Sequence, residues 1–249
     1  MYNYNEYEKF WNNPISDYKR LLEPYLRSIF QSYKNSQILE VGFGSAHLPH
    51  ILKDISFTGN YLGLDIDPRA TEIAQKTYSL QNFTFETFIK YETVIIKSWD
   101  LAIFCLSICE MSDDIIINYL QNINAKKILI INPSTITNYF DSKITKSFVN
   151  KIYSRLGGQP KWKLKANIPN LTEQKRFYYI NNNKKIQASI YYRSTGDLLN
   201  LISQTSYIFE NYKDLEYNQN TIKTAPVSKF EVLLFRSNKI GQKNKVRRY

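Results

Sequence analysis

One stretch of the chain, from Gln37 to Ile55, constrains the possible fold more than any other. A short and largely apolar run, Ile38–Val41, is followed by the tight turn Gly42-Phe43-Gly44, and apolar residues then recur at helical spacing. The two glycines let the backbone turn sharply and approach a ligand without a Cβ in the way. Strand, glycine turn and helix in this order predict the nucleotide-binding half of a doubly wound α/β sheet.

The acidic residue at the tip of this strand separates two kinds of nucleotide site. A pyrophosphate site favours three glycines and no carboxylate, whereas here Glu40 precedes the turn and Ala46 takes the third small position. A carboxylate at this place repels phosphate and attracts a cationic amino acid. The run from Glu40 to Ala46 resembles the first motif of the class I S-adenosylmethionine (SAM)-dependent methyltransferases, with Ala in place of its last glycine. The resemblance implies that Glu40, Gly42 and Gly44 contact SAM.

A second strand, predicted at Tyr61–Asp65, also ends in an acid. Asp67 and Pro68 then suit the N-cap and first position of a helix. In a Rossmann-like sheet, an acid about twenty residues beyond the glycines accepts hydrogen bonds from the ribose hydroxyls, and Asp65 stands at that distance. The segment resembles the second methyltransferase motif, which implies that Asp65 holds the ribose and that Ile66 packs on the adenine.

The next two strands are predicted at Asn82–Thr87 and Asp100–Leu106. Methyltransferases that resemble this chain often carry an aspartate beyond the third strand, and Thr87, Phe88 and Ile89 stand here instead. The adenine pocket is therefore expected to use backbone groups and Phe88 or Ile89. The resemblance also implies that Cys105, at the end of the fourth strand, borders the cofactor.

Glu110 follows the fourth strand, where the carboxyl ends of central strands border the reaction site. A carboxylate there could take a proton from a substrate hydroxyl or amine during methyl transfer, which makes Glu110 the candidate catalytic base. The alternative is a solvated loop residue. Ser112 is expected to cap the following helix. The loop lacks the Asn-Pro-Pro-Tyr type of sequence associated with methylation of adenine or glutamine amino groups.

The ends of the chain and one internal segment depart from the strand–helix alternation. Residues 1–35 contain an amphipathic helical pattern that Pro24 is expected to kink or break. The resemblance implies that this segment covers the cofactor and substrate, with Trp11 and Tyr18 facing the substrate. The alternative is a helix that only packs on the sheet.

Residues 133–193 are predicted to form a substrate-cap insertion and a β-hairpin, the hairpin lying between about 176 and 192. Tyr139, Tyr192 and Arg193 are the candidate substrate-binding residues from this segment. The alternatives are a peripheral loop and residues that brace the hairpin. Ser194 and Asp197 predict a capping box for the helix that follows.

Taken together, the pattern predicts a Rossmann-like seven-stranded sheet flanked by helices, parallel with one antiparallel edge strand. The methyltransferase-like domain is assigned to residues 36–236, and its last two strands, near 207–212 and 230–235, are expected to pair at one edge. Residues 237–249 are predicted to be a basic disordered tail.

The amino-acid composition limits the kinds of substrate and partner that this chain is expected to bind. The net charge of +11 is compatible with nucleic acid, but the lysines are scattered and the composition is typical of an AT-rich genome. A small-molecule acceptor is therefore the main prediction, and RNA, a peptide side chain or a non-catalytic SAM-binding role are the alternatives. No apolar run reaches 18 residues, no signal-peptide pattern opens the chain, and two cysteines predict neither disulfides nor a metal site. A cytoplasmic location is expected, and the oligomeric state stays open.

Overall fold

The structure is a computed structural model that describes residues 18–88, 97–133, 173–180, 184–191, 193–215 and 230–238, with the backbone alone at 173–180 and 184–190. A π-helical turn at Tyr18–Leu22 leads directly into the first α-helix. The α-helices of the described part are α1 (Glu23–Gln31), α2 (His47–Asp54), α3 (Pro68–Thr77), α4 (Asp113–Asn122) and α5 (Thr195–Ile202). Its strands are β1 (Gln37–Val41), β2 (Asn60–Asp65), β3 (Phe83–Thr87), β4 (Trp99–Cys105), β5 (Ala125–Pro133), β6 (Glu173–Ile180), β7 (Lys184–Tyr191), β8 (Tyr207–Leu215) and β9 (Phe230–Ser237).

Seven of these strands form one sheet in the order β3-β2-β1-β4-β5-β9-β8. The first five run parallel, and β9 is antiparallel to both β5 and β8. The predicted seven-stranded Rossmann-like sheet is therefore confirmed, with its single reversed strand one place inside the edge that β8 forms. The predicted hairpin is also present, as the separate antiparallel pair β6–β7.

Helices cover both faces of the sheet because its central strands are apolar on both sides. On one face, α1, α2 and α3 pack against side chains such as Ile38, Ile103 and Ile131. On the other face, α4 and α5 pack against Leu39, Phe104 and other buried residues. Each central strand thus contributes alternate residues to two cores, which is the layering of a doubly wound fold.

Some local predictions match the structure, and others do not. Pro24 lies in the first turn of α1, where the backbone changes from the π-helical turn to the α-helix without interruption. Asp67 caps α3 by accepting from the Arg69 N–H, and Ser194 and Asp197 form the predicted capping box of α5. Ser112 occupies the N-cap position of α4, but its side chain makes no capping hydrogen bond.

The register of β1 places the two predicted carboxylates at one edge of the sheet. Glu40 pairs with Gly63 on β2 and with Ile103 on β4, and Asp65 ends β2 beside the glycine turn. The carboxyl ends of parallel neighbours meet at the same edge, where ligands of open α/β sheets bind.

Other predictions fall outside the described residues. They concern Trp11 with the rest of 1–17, Tyr139 with the rest of the 134–172 segment, Tyr192, Ile89 and the tail beyond 238. Within the described ranges, no helix combines the length and apolarity needed to cross a bilayer. The same ranges bring together no group of three or more His, Cys, Asp or Glu side chains suited to a metal ion.

Candidate active site

A cavity of about 380 Å³ opens at the carboxyl ends of β1, β2 and β4. Its wall is formed by the glycine turn, the tip of β2, the loop after β4 and the π-helical turn. Of the predicted site residues, the wall contains Tyr18, Glu40, Gly42, Gly44, Asp65, Ile66, Cys105 and Glu110. The volume lies within the range of small-molecule sites, roughly 300–1,000 Å³.

Close contacts hold the glycine turn against β2 and against the loop that follows β4. The Gly42 N–H donates to the Leu64 carbonyl on β2 (2.7 Å), and its φ of +75° favours glycine. A Cβ on Gly42 would stand 2.5 Å from the Cβ of Ser107 in the loop after β4. A Cβ on Gly44, in contrast, would meet no atom within 4 Å. The first glycine therefore permits close packing, and the second leaves open space at the cavity.

Ala46 occupies the third small position of the turn with a left-handed backbone, φ +57° and ψ +42°. Glycine adopts this region without the steric cost that an L-residue with a Cβ incurs. A glycine at this place would therefore adopt the observed geometry without that cost.

Asp65 lies at the tip of β2 and is held by two backbone N–H groups. Its Oδ2 accepts from the Gly44 N–H (2.8 Å), and its Oδ1 accepts from the Asp67 N–H (2.9 Å). Burial raises the pKa of the carboxyl, while these backbone donors act in the opposite direction. Next to it, the Ile66 side chain is 83% exposed, an unusual position for a large apolar residue beside a cavity.

Glu40 lies deeper, at the floor of the cavity, and only 3% of it is exposed. The Tyr61 hydroxyl donates to Glu40 Oε2 at 2.5 Å. Burial raises the pKa of Glu40 to about 8, with the Asp65 charge adding to the effect. Tyr61 reaches Glu40 across Gly63, because a Cβ at Gly63 would stand only 2.8 Å from the Tyr61 hydroxyl.

Tyr18 and His47 close the cavity from the side of the π-helical turn. Their ring centroids are 4.9 Å apart, and both residues contribute to the wall. Burial lowers the pKa of His47 to about 4 and raises the pKa of Tyr18 well above its ordinary value, so both are neutral at physiological pH. His47 is absent from the predicted site residues, although its place as the first helical residue after the glycine turn was a usable signal.

The loop after β4 forms the opposite wall. Leu106 adopts a φ of +60°, and a 3₁₀ turn at Ile108–Glu110 then presents Glu110 as an exposed carboxylate. Cys105 lies at the start of this loop, and burial raises its thiol pKa well above the ordinary value. Further wall residues that the sequence analysis did not single out are Ser107, Met111, Ile115 and Tyr119.

Two predicted site residues lie behind the wall instead of in it. Phe88 packs on Tyr119, with ring centroids 5.1 Å apart, and its N–H donates to the Asp65 carbonyl (2.8 Å). Arg193 is 2% exposed, and its guanidinium contacts Asp113 and the backbone of the loop after β4. The expected direct contact of Arg193 with a substrate is therefore wrong for this arrangement, since the side chain is directed into the protein.

The wall of the cavity is acidic although the whole chain is basic. Four carboxylates contribute to it, from Glu40, Asp65, Asp67 and Glu110, and its described residues include no lysine or arginine. Asp67 is paired with Arg69 at 2.5 Å. The remaining carboxyl groups favour a cationic ligand and disfavour a phosphorylated one where they are ionised, and Glu40, with a pKa of about 8, does so once it has lost its proton.

Solved structures of methyltransferases share this fold. A SAM-dependent methyltransferase from Mesorhizobium loti is 11% identical, with a TM-score of 0.55 over 86% of this chain and 96% of that one. One from Clostridium acetobutylicum is 11% identical, with a TM-score of 0.56 over 94% and 98%. A DhpI–SAM–HEP complex is 9% identical, with a TM-score of 0.56 over 94% of each chain.

The sequence matches no protein-family model and no curated protein. At such identities the structural likeness establishes the fold, which is that of Rossmann-like SAM-dependent methyltransferases. The fold predicted from the first two motifs is thereby confirmed.

Proposed function

We propose that this protein is a SAM-dependent methyltransferase that transfers a methyl group to an oxygen or nitrogen nucleophile of a small-molecule metabolite. The observation that carries the proposal is the pair of carboxylates, Glu40 and Asp65, at adjacent strand tips on the wall of one acidic cavity. SAM is a nucleoside with a sulfonium and an ammonium group, so its charge and its ribose suit such a pair.

The wall residues fit the cofactor part by part. Asp65 would accept hydrogen bonds from the ribose hydroxyls, and the exposed Ile66 would cover one face of the adenine. Glu40 would face the ammonium group, and the open space at Gly44 would admit the ligand close to the backbone. Tyr18 would cover the amino-acid end of SAM, and it belongs to the N-terminal segment 1–35 that is expected to cover the cofactor.

SAM, when bound, supplies an electrophilic methyl group on sulfur. The protein's part is to orient the acceptor and to manage its proton. Glu110, exposed on the acceptor side of the wall, would accept the proton that the hydroxyl or amine loses as its new bond to the methyl carbon forms. Holding the two reactants in line provides much of the rate. Burial keeps the Cys105 thiol protonated, which disfavours it as a nucleophile.

The cap insertion at 133–193 would enclose the acceptor. Its described part supports this placement, because β7 lies against the 3₁₀ turn that carries Glu110. Together with the N-terminal segment 1–35, which would cover the cofactor, the cap insertion completes the domain division that we propose for this chain. A cytoplasmic location, where SAM is made and used, accompanies the proposal.

Titration calorimetry with SAM, followed by an acceptor screen that detects S-adenosylhomocysteine, tests this function. We expect saturable binding of SAM and turnover with some acceptors that carry a hydroxyl or an amine. Absence of SAM binding would contradict the proposal. Tight binding without turnover across a broad screen would favour a non-catalytic SAM-binding protein.

An RNA acceptor is a second candidate because of where the positive charge is concentrated. The segment 134–172 contains six lysines and one arginine against one aspartate, and the last eleven residues add five basic residues and no acid. Binding of RNA that weakens steeply with salt would support this candidate. Absent or salt-insensitive binding would leave the small-molecule acceptor.

A further inference from the structure

The Glu110 loop, defined here as residues 106–112, begins at Leu106, whose N–H donates to the Ile131 carbonyl on β5 at 2.9 Å, and it has two further attachments. At its first end, the Ser107 hydroxyl donates to the Val41 carbonyl at 2.6 Å, and Ser107 packs directly on Gly42. This attachment ties the loop to the glycine turn on the cofactor side.

The second attachment comes from Arg193, far away in the sequence. Its guanidinium donates to the Ile108 carbonyl (3.1 Å) and the Met111 carbonyl (2.6 Å), one on each side of Glu110. It also binds the Asp113 carboxylate, with N–O distances of 2.8 and 2.6 Å. A planar guanidinium can make these bonds together because its donors point in several fixed directions, which a lysine ammonium cannot reproduce.

Arg193 is itself held at a rigid junction. It follows Tyr191, the last residue of β7, and its guanidinium lies 5.1 Å from the centre of that ring. The capping box at Ser194 starts α5 directly after it, and Thr195 donates to Glu231 on β9 at 2.8 Å. The β6–β7 hairpin, the last helix and the Glu110 loop therefore meet at this side chain.

We propose that Arg193 is a positioning residue: it fixes Glu110 against the cofactor side of the cavity and couples the β6–β7 hairpin to that loop. The catalytic meaning of this position rests on the proposed function, whereas the clamp itself does not. Only 2% of Arg193 is exposed, which gives the side chain no access to a substrate, so its effect must pass through the loop.

Hydrogen–deuterium exchange, measured on the full chain with and without S-adenosylhomocysteine, tests the clamp. In Arg193→Met we expect the amides of 108–112 to exchange at least about tenfold faster, while those of 42–47 keep their wild-type rates. Arg193→Lys should restore part of the protection, since its ammonium can still pair with Asp113. Asp113→Asn should have a smaller effect, because both carbonyl contacts remain.

Arg27→Met is the matched control, since Arg27 is also an arginine with several ionic or hydrogen-bonded contacts, to Glu23 and Asp54, but these lie on α1 and α2. It should leave exchange at 108–112 unchanged. Calorimetry should give S-adenosylhomocysteine dissociation constants within about threefold for wild type and Arg193→Met.

Unchanged exchange at 108–112 in Arg193→Met, or loosening of 42–47 to the same degree, would overturn the clamp. If Arg193→Met does not fold, the Lys and Asn variants decide the question by the same criterion. Failure of the wild type to bind S-adenosylhomocysteine would contradict the proposed function, and the exchange measured without ligand would still decide the clamp.

Discussion

The two sides of the cavity, which we propose as the cofactor side and the acceptor side, are built in different ways. On the cofactor side, the glycine turn and Asp65 are hydrogen-bonded to each other within about twenty residues of sequence. On the acceptor side, Glu110 is an exposed residue on a short turn held by Ser107 and by Arg193, which lies 82 to 85 positions away from the carbonyls it binds.

Under the proposed function, this difference separates a cofactor site of fixed geometry from an acceptor site whose shape can vary. The cofactor side carries its own internal bonds, so a short motif specifies it. The acceptor side depends on long-range contacts, so its shape can change with the hairpin and cap while the cofactor side stays the same. Substitutions should therefore separate into two classes, according to the side of the cavity that they affect.

The largest effect is expected for Asp65→Ala. Loss of two hydrogen bonds to a charged group, about 1.5–3 kcal/mol each, predicts SAM binding weaker by about a hundredfold or more. Calorimetry measures this, and Glu72→Ala is the matched control because that carboxylate is on the surface of α3, paired with Lys76. Equal SAM affinity of Asp65→Ala and wild type would contradict the proposed role of Asp65 in cofactor binding.

Gly63→Ala tests the floor of the cavity. The new Cβ would stand 2.8 Å from the Tyr61 hydroxyl and 2.9 Å from the Phe43 ring, so we expect destabilisation of about 1–3 kcal/mol in urea unfolding. Gly196→Ala is the control, because its Cβ would meet only the Ser194 hydroxyl, at 3.6 Å. Similar stabilities of the two variants would show that Tyr61 does not need the space at Gly63.

Glu40 makes the affinity for SAM depend on pH. Its pKa is raised from the ordinary 4.5 to about 8, so the folded free protein keeps this proton at neutral pH, whereas the unfolded chain has lost it. Among the neighbouring groups, Tyr18, Tyr61 and Cys105 keep their protons in this range because their pKa values are raised well above the ordinary ones, and burial also raises the pKa of Asp65, the other carboxylate nearby. Folding stability from Glu40 therefore decreases as pH rises from 4.5 to 8.

Binding of an ammonium group should expel the Glu40 proton. We expect the SAM affinity to rise by up to about tenfold per unit between pH 6 and 7.5, below the ordinary pKa of an α-amino group at about 7.7–8.0. Calorimetry in buffers of different ionisation enthalpy counts the released proton. Glu40→Gln should bind more weakly and without this pH dependence, and a flat wild-type profile would contradict the role of Glu40.

The smallest effect is expected for Ala46→Gly. Relief of the left-handed backbone, about 1 kcal/mol, is offset by loss of a buried methyl group, about 0.8 kcal/mol, so stability and SAM affinity should both stay near wild type. Ala46→Val, which places a β-branched residue at the same φ, should be clearly destabilised in the same unfolding experiment. A large gain or loss in Ala46→Gly would show that the alanine has a role of its own.

The fold could be predicted from the sequence, and so could the grouping of Glu40, Asp65 and the glycine turn at one edge of the sheet, because their signals are local. Alternating strands and helices, two acids at strand tips and a glycine turn all lie within short windows, and the alternation of strands and helices predicts a parallel sheet. The inward direction of Arg193 could not be predicted, since it depends on how α5 packs beside the loop after β4. Likewise, the need for glycine at position 63 could not be predicted, because it depends on the contact that Tyr61 makes with Glu40 across that residue.

The most direct test of the central claim is a crystal structure of the protein with S-adenosylhomocysteine bound. We expect the ribose hydroxyls within hydrogen-bond distance of the Asp65 carboxylate, the adenine against Ile66, and the amino-acid end toward Glu40. A nucleoside bound elsewhere, or one that touches neither carboxylate, would contradict the account.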